Sequence, residues 1–402
     1  MLAFSSLLRN AQKTSYAFLS RMITDIPVPR ADPYGDCYHR NMVVEKTKKP
    51  KEKLPAEKLV FGQTFTDHML EVDFEASKGW GAPKIVPFHN FDMSPATSSL
   101  HYAIQCFEGM KAYVNVNKGI NLFRPEKNMD RLLLSCARLC IPAFDGTEML
   151  ECLKDLVRLD KDWIPDRRGY SLYIRPTVIS TDATVGVSVP QKAKFFTILS
   201  PVGPYYKGGF APVKLFADDF HVRACVGGSG KYKLGANYGP TIYHQRTAAS
   251  YGAAQVLWLY GDQKFVSEAG TMNFFTLWVN EKGEKELITA PLDDGTILPG
   301  VVRDSVLTLC RQWGDFKVSE RVYSIHELTK AVKEGRVIEC FGSGTAAIVS
   351  PVNAILYQGV EYPIPLDPED KSAGAGKLCQ RVAQSIMDIQ YGVVPSPWAV
   401  TL

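Results

Sequence analysis

A segment rich in glycine and proline, residues 203–212, divides this chain into two parts of different length. The whole chain has 402 residues, which is more than a single hydrophobic core usually supports. We therefore expect a smaller α/β domain over residues 59–202 and a larger domain over residues 213–402, with the segment 203–212 as the linker. Two domains of this size can hold a large buried site between them.

The first 58 residues differ in composition from the rest of the chain. Residues 1–24 contain Arg9, Lys13 and Arg21, four serines and no acidic residue, which is typical of a mitochondrial transit segment. A tail without fixed structure is the alternative. Residues 25–58 form an extension whose lysine-rich end is too polar to fold by itself. We therefore expect the protein in the mitochondrial matrix, with the cytoplasm as the alternative.

The composition limits the classes of partner. Hydrophobic residues make up 46% and charged residues 22% of the chain, with a formal net charge of +4, so we expect a globular protein that does not bind nucleic acid. No apolar stretch approaches the ~20 residues of a membrane-spanning helix, and we expect no membrane partner. The nine cysteines and seven histidines include no Cys-x-x-Cys or His-x-x-x-His pair, so the sequence predicts buried thiols and no metal site.

Hydrophobic patterning predicts a mixture of strands and helices. Strands are expected at residues 120–123, 171–179, 195–202, 255–260, 265–266, 273–279 and 336–341. One helix is expected to begin at Pro125, with apolar residues at steps of three and four as far as Cys140, and others after Gly300 and Gly376. The mixture indicates an α/β or α+β fold.

Two lysines, Lys231 and Lys233, lie in a glycine-rich segment, residues 228–240. The segment is not a phosphate-binding Walker loop, because Cys225 stands where the first glycine is needed and Tyr232 follows the first lysine. A partly desolvated lysine among small residues suits covalent chemistry with a carbonyl group, because burial lowers the pKa of the amine. From this segment alone, a turn with exposed lysines is an equal alternative.

Two further features of the second half of the chain indicate sites for charged groups. Glu268 is the single acidic residue between two strand-like stretches, and a buried carboxylate needs a positive partner. That partner is either a protonated ring nitrogen or an arginine or lysine side chain. Val301 and Val302 open a helix after Gly300, where free N–H groups favour a phosphate, although a plain helix start has the same pattern.

A third glycine motif lies near the C-terminus. Gly342 and Gly344, followed by Ala347, fit a dinucleotide-binding fingerprint. However, Pro351 would lie inside the helix that this fingerprint must open. We therefore interpret the motif as an anion-binding turn.

Seven segments in order resemble the branched-chain amino-acid aminotransferases, which are fold-type IV pyridoxal-phosphate enzymes. The resemblance extends from about Leu59 to Leu402, and its segments are residues 61–69, 106–111, 122–125, 171–176, 232–235, 268–273 and 341–346. It implies a two-domain α/β fold with the site between the domains. It also implies reversible transamination of leucine, isoleucine and valine with 2-oxoglutarate.

The resemblance implies roles for residues around the cofactor. Lys233 would bind pyridoxal 5'-phosphate covalently and move a proton, Glu268 would keep the ring nitrogen protonated, and Tyr238 would bond the ring hydroxyl. The complete set implied to bind the cofactor is Arg124, Lys233, Tyr238, Glu268, Thr271, Val301, Val302 and Thr345.

The resemblance also implies a substrate pocket. Arg175 would pair with the distal carboxylate of glutamate without obstructing an alkyl side chain. Val187 lies in a segment similar to the loop that closes over the site of the neighbouring subunit, which implies a homodimer. The complete set implied to bind substrate is Phe65, Tyr102, Phe107, Tyr173, Arg175, Val187, Tyr205, Thr271 and Ala346.

One position departs from the resemblance, and other functions remain open. Vertebrate members carry a Cys-x-x-Cys pair where this chain has Ala347 and Ser350, so we expect no thiol-based regulation at this turn. A D-amino-acid aminotransferase or an aminodeoxychorismate lyase would use the same fold. A nicotinamide-dependent amino-acid dehydrogenase has support only from the glycine motif near the C-terminus. A non-catalytic binding protein would require that the lysine, the glutamate or the phosphate anchors be incomplete.

Overall fold

The computed structural model describes residues 34–204 and 210–402. The transit segment predicted at residues 1–24, the predicted substrate residue Tyr205 and the middle of the predicted linker lie outside the described residues. Among the described residues, no helix combines the length and the apolar character needed to cross a membrane.

The described residues form nineteen strands and seven α-helices. The strands are β1 (Val43–Val44), β2 (His68–Glu75), β3 (Gly79–Trp80), β4 (Lys84–Pro87), β5 (Gln105–Phe107), β6 (Met110–Val114), β7 (Ile120–Phe123), β8 (Ser171–Ser180), β9 (Lys192–Val202), β10 (Val213–Asp218), β11 (Gln255–Tyr260), β12 (Phe265–Ala269), β13 (Met272–Val279), β14 (Lys285–Thr289), β15 (Lys317–Glu320), β16 (Val337–Gly344), β17 (Ile348–Tyr357), β18 (Val360–Pro363) and β19 (Ala399–Thr401). The helices are α1 (Ser98–Tyr102), α2 (Pro125–Arg138), α3 (Gly146–Leu159), α4 (Thr241–Ser250), α5 (Val301–Trp313), α6 (Ile325–Lys333) and α7 (Lys377–Gln390).

The first sheet has ten strands in the order β1-β4-β2-β9-β8-β6-β7-β19, with β3 beside β2 and β5 beside β8. Its pairs are antiparallel apart from β1 and β4. The last strand of the chain, β19, therefore lies in the same sheet as the early strands. The division of the chain into two domains at residues 203–212 remains a prediction.

The second sheet has nine strands in the order β12-β11-β10-β17-β16-β13-β14-β15, with β18 beside β17. Strand β12 pairs with β13 as well as with β11. Six strands, namely β10 to β13 with β16 and β17, thus close into a ring. Parallel pairs join β10 to β11 and to β17, so the mixed α/β class expected from the sequence is confirmed.

The two sheets share a hydrophobic core. Phe123 from the first sheet packs in one cluster with Phe275 from the second, and the same cluster contains Val302 of α5 and Ile386 of α7. Burial of such side chains stabilises by about 1.5–3 kcal/mol each. The α5 and α7 helices therefore lie where the sheets meet.

Helix starts were predicted more accurately than helix ends. Helices α2, α5 and α7 begin where the sequence predicts them. The extension of α2 to Cys140 is wrong, because the helix ends at Arg138 and Cys140 has a left-handed φ of 54°. The N–H of Ile141 donates to the carbonyl of Cys136 at 3.0 Å, which closes the helix in a C-terminal capping turn.

The structure corrects two other predictions, one on the glycine motif near the C-terminus and one on the cysteines. Gly342 and Gly344 belong to β16, which runs on past its predicted end and pairs antiparallel with β17. The turn follows at residues 345–347, so no helix follows these glycines as a dinucleotide site requires. The prediction of buried thiols holds for seven cysteines, but Cys225 is exposed.

A buried ion pair ties the first sheet to the second half of the chain. The Glu108 carboxylate is fully buried and accepts two hydrogen bonds from Arg131, at 2.7 and 2.8 Å. Asn128 and the N–H of Gly109 donate to the same carboxylate. Arg131 also donates to the carbonyl of Pro299 at 3.0 Å, directly before α5. Both buried charges of this pair therefore have hydrogen-bond partners, as a buried ion pair requires.

Breaking this ion pair should destabilise the fold strongly. In Arg131→Met, the Glu108 carboxylate would stay buried without its cation, which costs about 3–5 kcal/mol in comparable pairs. In Lys118→Met, loss of the exposed pair with Asp166 should cost no more than about 1 kcal/mol. Urea unfolding of both variants beside the wild-type protein measures the two losses. Equal losses would contradict the role assigned to the buried pair.

Candidate active site

Lys233 is held in place by backbone contacts to the first half of the chain. Its N–H donates to the Ser135 hydroxyl at 2.9 Å, and its carbonyl accepts the N–H of Phe107 at 3.1 Å. Its Nζ lies 3.1 Å from the Tyr238 hydroxyl, within hydrogen-bond distance. Lys231, by contrast, is exposed. The structure therefore distinguishes the two lysines of the glycine-rich segment.

Aromatic rings surround the Lys233 amine. Its Nζ lies 4.8 Å from the ring centre of Phe107 and 5.2 Å from that of Tyr238. The Arg175 guanidinium lies 4.7 Å from the centre of the Phe107 ring and donates to the Tyr173 hydroxyl at 2.9 Å. Five of the predicted site residues therefore form one continuous group.

Gly109 is required at this position for reasons of space. A Cβ atom there would lie 2.1 Å from the Tyr173 hydroxyl oxygen, far inside contact distance. The glycine thus lets Tyr173 reach the position from which it accepts the Arg175 hydrogen bond.

Glu268 lies on β12 and is almost fully buried. Its Oε1 accepts hydrogen bonds from Asn273 at 3.0 Å and from the N–H of Leu298 at 2.9 Å. Its Oε2 lies 2.8 Å from Arg223 Nε. The Arg223 Nε–H has no hydrogen-bond partner, so the contact is an ion pair in which the N–H does not point at the oxygen. The positive partner expected for Glu268 is present in the protein itself.

The electrostatics of Glu268 are balanced between opposing effects. Burial raises the pKa of its carboxyl above the usual range, while Arg223, the Leu298 N–H and the Lys233 ammonium act to lower it. Burial has the larger effect, so the pKa of this carboxyl stays raised despite its positive neighbours.

Anion-binding groups meet at the start of α5. The helix begins after Gly300, which has no side chain to cap it, so its first N–H groups are free for an anion. Arg124 Nη1 donates to Ser305 at 2.7 Å and Nη2 pairs with Asp304 at 2.6 Å. Arg124 Nε is buried without a hydrogen-bond partner among the described residues. A buried donor of this kind favours an acceptor that a ligand would supply.

A small cavity lies between the start of α5 and the turn after β16. Val301, Val302 and Thr345 line it, together with Lys111. Lys111 is buried and its Nζ donates to the carbonyl of Ala346 at 2.8 Å. Burial lowers the pKa of Lys111 to about 8. The cavity therefore combines a helix start with a buried amine.

The Thr271 turn lies beside the Ala346 turn. Strands β13 and β16 pair antiparallel with Asn273 opposite Ser343, so the turns that adjoin these strand ends are neighbours. Ser343 Oγ is buried and has no hydrogen-bond partner in the described part of the chain. The register thus brings Thr271 together with the residues predicted to bind phosphate and substrate carboxylate.

Three predicted substrate residues have neighbours outside the group around Lys233. Phe65 stacks on Phe88, with ring centres 5.4 Å apart. The Tyr102 hydroxyl donates to the carbonyl of Val185, two residues before Val187, and the side chains of Tyr102, Val185 and Val187 are exposed. Tyr102 and Val187 therefore belong to an exposed patch on the loop after β8.

Sequence reasoning missed three residues that the structure places at the site. They are Arg223, Asn273 and Lys111. Asn273 lies inside the segment 268–273, but the resemblance implied no role for it. Lys111 lies between two apolar residues, which is a signal of a buried amine. Arg223 carried no local signal, because its partner Glu268 lies far along the chain.

Comparison with known proteins identifies the family of this chain. A family model described as amino-transferase class IV matches residues 105–355. The chain is 55% identical over 360 residues to a branched-chain-amino-acid aminotransferase of Dictyostelium discoideum, covering 89% of this chain and 94% of that protein. It is 48% identical to the mitochondrial branched-chain-amino-acid aminotransferase of Rattus norvegicus, covering 93% of this chain and 95% of that protein.

A solved structure shares the fold. The branched-chain amino acid aminotransferase from Thermobaculum terrenum, in its PLP form, aligns with a TM-score of 0.66 at 22% identity over 84% of this chain and 99% of that chain. The chain belongs to the class IV aminotransferases and shares the fold of this solved structure. Within that class it belongs to the branched-chain-amino-acid aminotransferase family, so the family predicted from seven segments is confirmed.

Adding one methyl group at Gly109 should impair catalysis. Gly109→Ala must displace the Tyr173 hydroxyl, and misplacement of site groups by about 1 Å can reduce activity about 100-fold. Gly239→Ala is the matched control, because a Cβ atom at Gly239 meets no atom within 4 Å. Aminotransferase assays and thermal unfolding of both variants give the result. Full activity in Gly109→Ala would contradict the close contact.

Anion binding in the cavity should weaken as the pH rises through about 8. A bound sulfate favours the charged form of Lys111, which loses its proton near pH 8 in the free protein. Affinity should therefore fall towards about tenfold per pH unit above that value. Calorimetry on the cofactor-free protein measures this slope.

Two variants test whether Lys111 causes the slope. Lys111→Met should bind sulfate weakly, with little change between pH 7 and pH 9. Lys127→Met removes a half-exposed amine that pairs with Asp304 and should keep the wild-type slope. The same slope in Lys111→Met and in the wild type would assign the titration to another group.

Proposed function

We propose that this protein transfers amino groups reversibly between leucine, isoleucine or valine and 2-oxoglutarate, with pyridoxal phosphate as its cofactor. The observation that carries the proposal is the placement of Lys233 Nζ, 3.1 Å from the Tyr238 hydroxyl and close enough to Glu268 to affect its pKa. The branched-chain substrates follow from the names of the relatives.

The residues at the start of α5 fit the phosphate of this cofactor. Val301 and Val302 would offer N–H groups, and Thr345 a hydroxyl. Arg124 would supply its unpartnered Nε and its positive charge. The cavity lined by Val301, Val302 and Thr345 supports the assignment.

The surroundings of Glu268 fit a protonated ring nitrogen. Oε1 already accepts two hydrogen bonds, from Asn273 and Leu298. Oε2 faces Arg223 without receiving its N–H, so it retains capacity to accept one. Tyr238 would in turn bond the ring hydroxyl.

Lys233 would carry out the proton transfer. When bound, pyridoxal phosphate supplies an electron sink that stabilises negative charge on the substrate Cα. The Lys233 amine would take the proton from that carbon, and the Tyr238 hydroxyl would orient the amine. The rings of Phe107 and Tyr238, whose centres lie 5.0 Å apart, would exclude water from this step.

Arg175 would let one pocket accept two kinds of side chain. Its guanidinium rests on the face of Phe107 and bonds Tyr173, and its Nε is buried without a hydrogen-bond partner among the described residues. A distal carboxylate of glutamate would occupy that donor. An alkyl side chain would instead contact the aromatic rings, with Thr271 and Ala346 near the substrate carboxylate.

A homodimer would complete the site. Val185, Val187 and Val189 are exposed apolar residues on one loop, with Tyr102 bonded to it. A patch of this kind is typical of a surface that another subunit covers. We therefore place Tyr102 and Val187 beside the pocket of the partner subunit, and the oligomeric state in solution tests this.

The other functions weighed from the sequence have less support. The named relatives are branched-chain-amino-acid aminotransferases, which disfavours a D-amino-acid aminotransferase or a lyase. The antiparallel pairing of β16 with β17 removes the basis for a nicotinamide-dependent dehydrogenase. Relatives include both mitochondrial and cytosolic forms, and we propose the mitochondrial matrix from residues 1–24. Import and cleavage by isolated mitochondria would test that location.

Absorption spectra of two lysine variants test the cofactor assignment. The wild-type protein should show a yellow band that L-leucine bleaches, 2-oxoglutarate restores and D-alanine leaves unchanged. Lys233→Ala should lack the lysine-linked band and lose about 100-fold to 10,000-fold in transamination rate. Lys231→Ala should behave as the wild type, because that side chain is exposed.

The opposite results would be decisive. A band retained in Lys233→Ala but lost in Lys231→Ala would reassign the cofactor lysine. A protein that stays colourless when supplied with pyridoxal phosphate would refute the proposed function.

A further inference from the structure

Three side chains with metal-binding atoms meet on the surface of the second half. Asp218 ends β10, His221 follows in the next loop, and His244 lies on α4. His221 Nδ1 lies 3.1 Å from Asp218 Oδ2, and His244 Nδ1 lies 3.6 Å from the same oxygen. One ligand atom from each residue can be chosen so that all three lie within 4.8 Å of one another.

These separations suit ligands that share one cation. Zinc bound at 2.0–2.1 Å to nitrogen in a tetrahedral site separates neighbouring ligand atoms by roughly 3.3 Å. The distances from Asp218 Oδ2 to the two histidines bracket this value. The distance of 3.6 Å to His244 is too long for a good hydrogen bond, so hydrogen bonding to the carboxylate does not explain the approach of the second imidazole.

The carboxylate is already oriented for such a role. Asp218 Oδ1 accepts the N–H groups of Phe220 and His221, at 3.0 and 2.9 Å, which leaves Oδ2 directed at the two rings. His244 packs against Trp258, with ring centres 5.7 Å apart. Supporting contacts that fix the ligands are typical of metal sites.

We propose that Asp218, His221 and His244 bind a divalent transition-metal ion of the zinc class. Two imidazoles and one carboxylate favour zinc, nickel or copper over magnesium or calcium. The His221 side chain is 45% exposed, so water fills the remaining coordination position. This site is separate from the groups that would hold the cofactor. The bound metal takes no part in any step of the transamination.

The metal would join two segments that lead to the active site. His221 is two residues from Arg223, which pairs with Glu268. Helix α4, which carries His244, begins at Thr241, whose hydroxyl donates to the carbonyl of Tyr238 at 2.7 Å. Binding should therefore raise the melting temperature of the protein by tying the β10 loop to α4.

Calorimetric titration of the chelator-treated holoenzyme with zinc chloride tests the proposal. The wild type should bind one zinc ion per chain at this site, and His221→Ala and His244→Ala should each weaken that binding by at least about tenfold. Magnesium chloride should give no binding there. His101→Ala and Cys225→Ser are controls, because the first removes an exposed imidazole elsewhere in the chain and the second removes an exposed thiol four residues after His221, and both should bind zinc as the wild type does.

Two results would overturn the proposal. One is wild-type zinc affinity in His221→Ala. This variant should fold, because the His221 side chain is 45% exposed. The other is loss of binding in Cys225→Ser alone, which would assign the zinc to the thiol. Thermal unfolding gives an independent measurement, since zinc should raise the melting temperature of the wild type and not that of His221→Ala.

Discussion

Two opposite charges are buried together at Glu108 and Arg131, where the first sheet meets the second half of the chain. Neither charge could remain there without the other, because an isolated buried charge costs several kcal/mol. Phe107 and Gly109 flank Glu108 in sequence, so fixing the carboxylate also fixes the ring beside Lys233 and the space that Tyr173 needs. The bond from Arg131 to the carbonyl just before α5 extends the same constraint to the anion-binding helix start.

Positive side chains of the site lie where a ligand would bring negative charge. The Glu268 carboxylate is a negative group among them. Arg124 and Lys111 lie at the start of α5 and at the cavity next to it, and each is buried at a cost that an anion would offset. Glu268 has the opposite sign and pairs with Arg223. In the function that we propose, the positive groups would meet the phosphate of the cofactor, and Glu268 would meet its protonated ring nitrogen.

The accuracy of the sequence-based expectations follows the range of the interactions involved. The start of α2 at Pro125 was predictable, because proline suits the first position of a helix and lacks only a hydrogen bond that this position does not make. The end of α2 was not, because apolar residues continue to Cys140 while the backbone turns left-handed there. Likewise, the two glycines of β16 fit a turn locally, yet pairing with β17 draws both into the sheet.

The sequence by itself determined the family and seven of the nineteen described strands, and it singled out Lys233 and Glu268 as candidate site residues, because short segments carry the family pattern and the hydrophobic period. The tertiary structure alone decided that Arg223 pairs with Glu268, that Lys111 reaches the turn after β16, and that β10 pairs with β17 and β13 with β16 in the ring of six strands. It also brought His221 to His244. These contacts join residues that are distant in sequence, and no local pattern specifies them, since they arise only when the sheets and helices pack into one core.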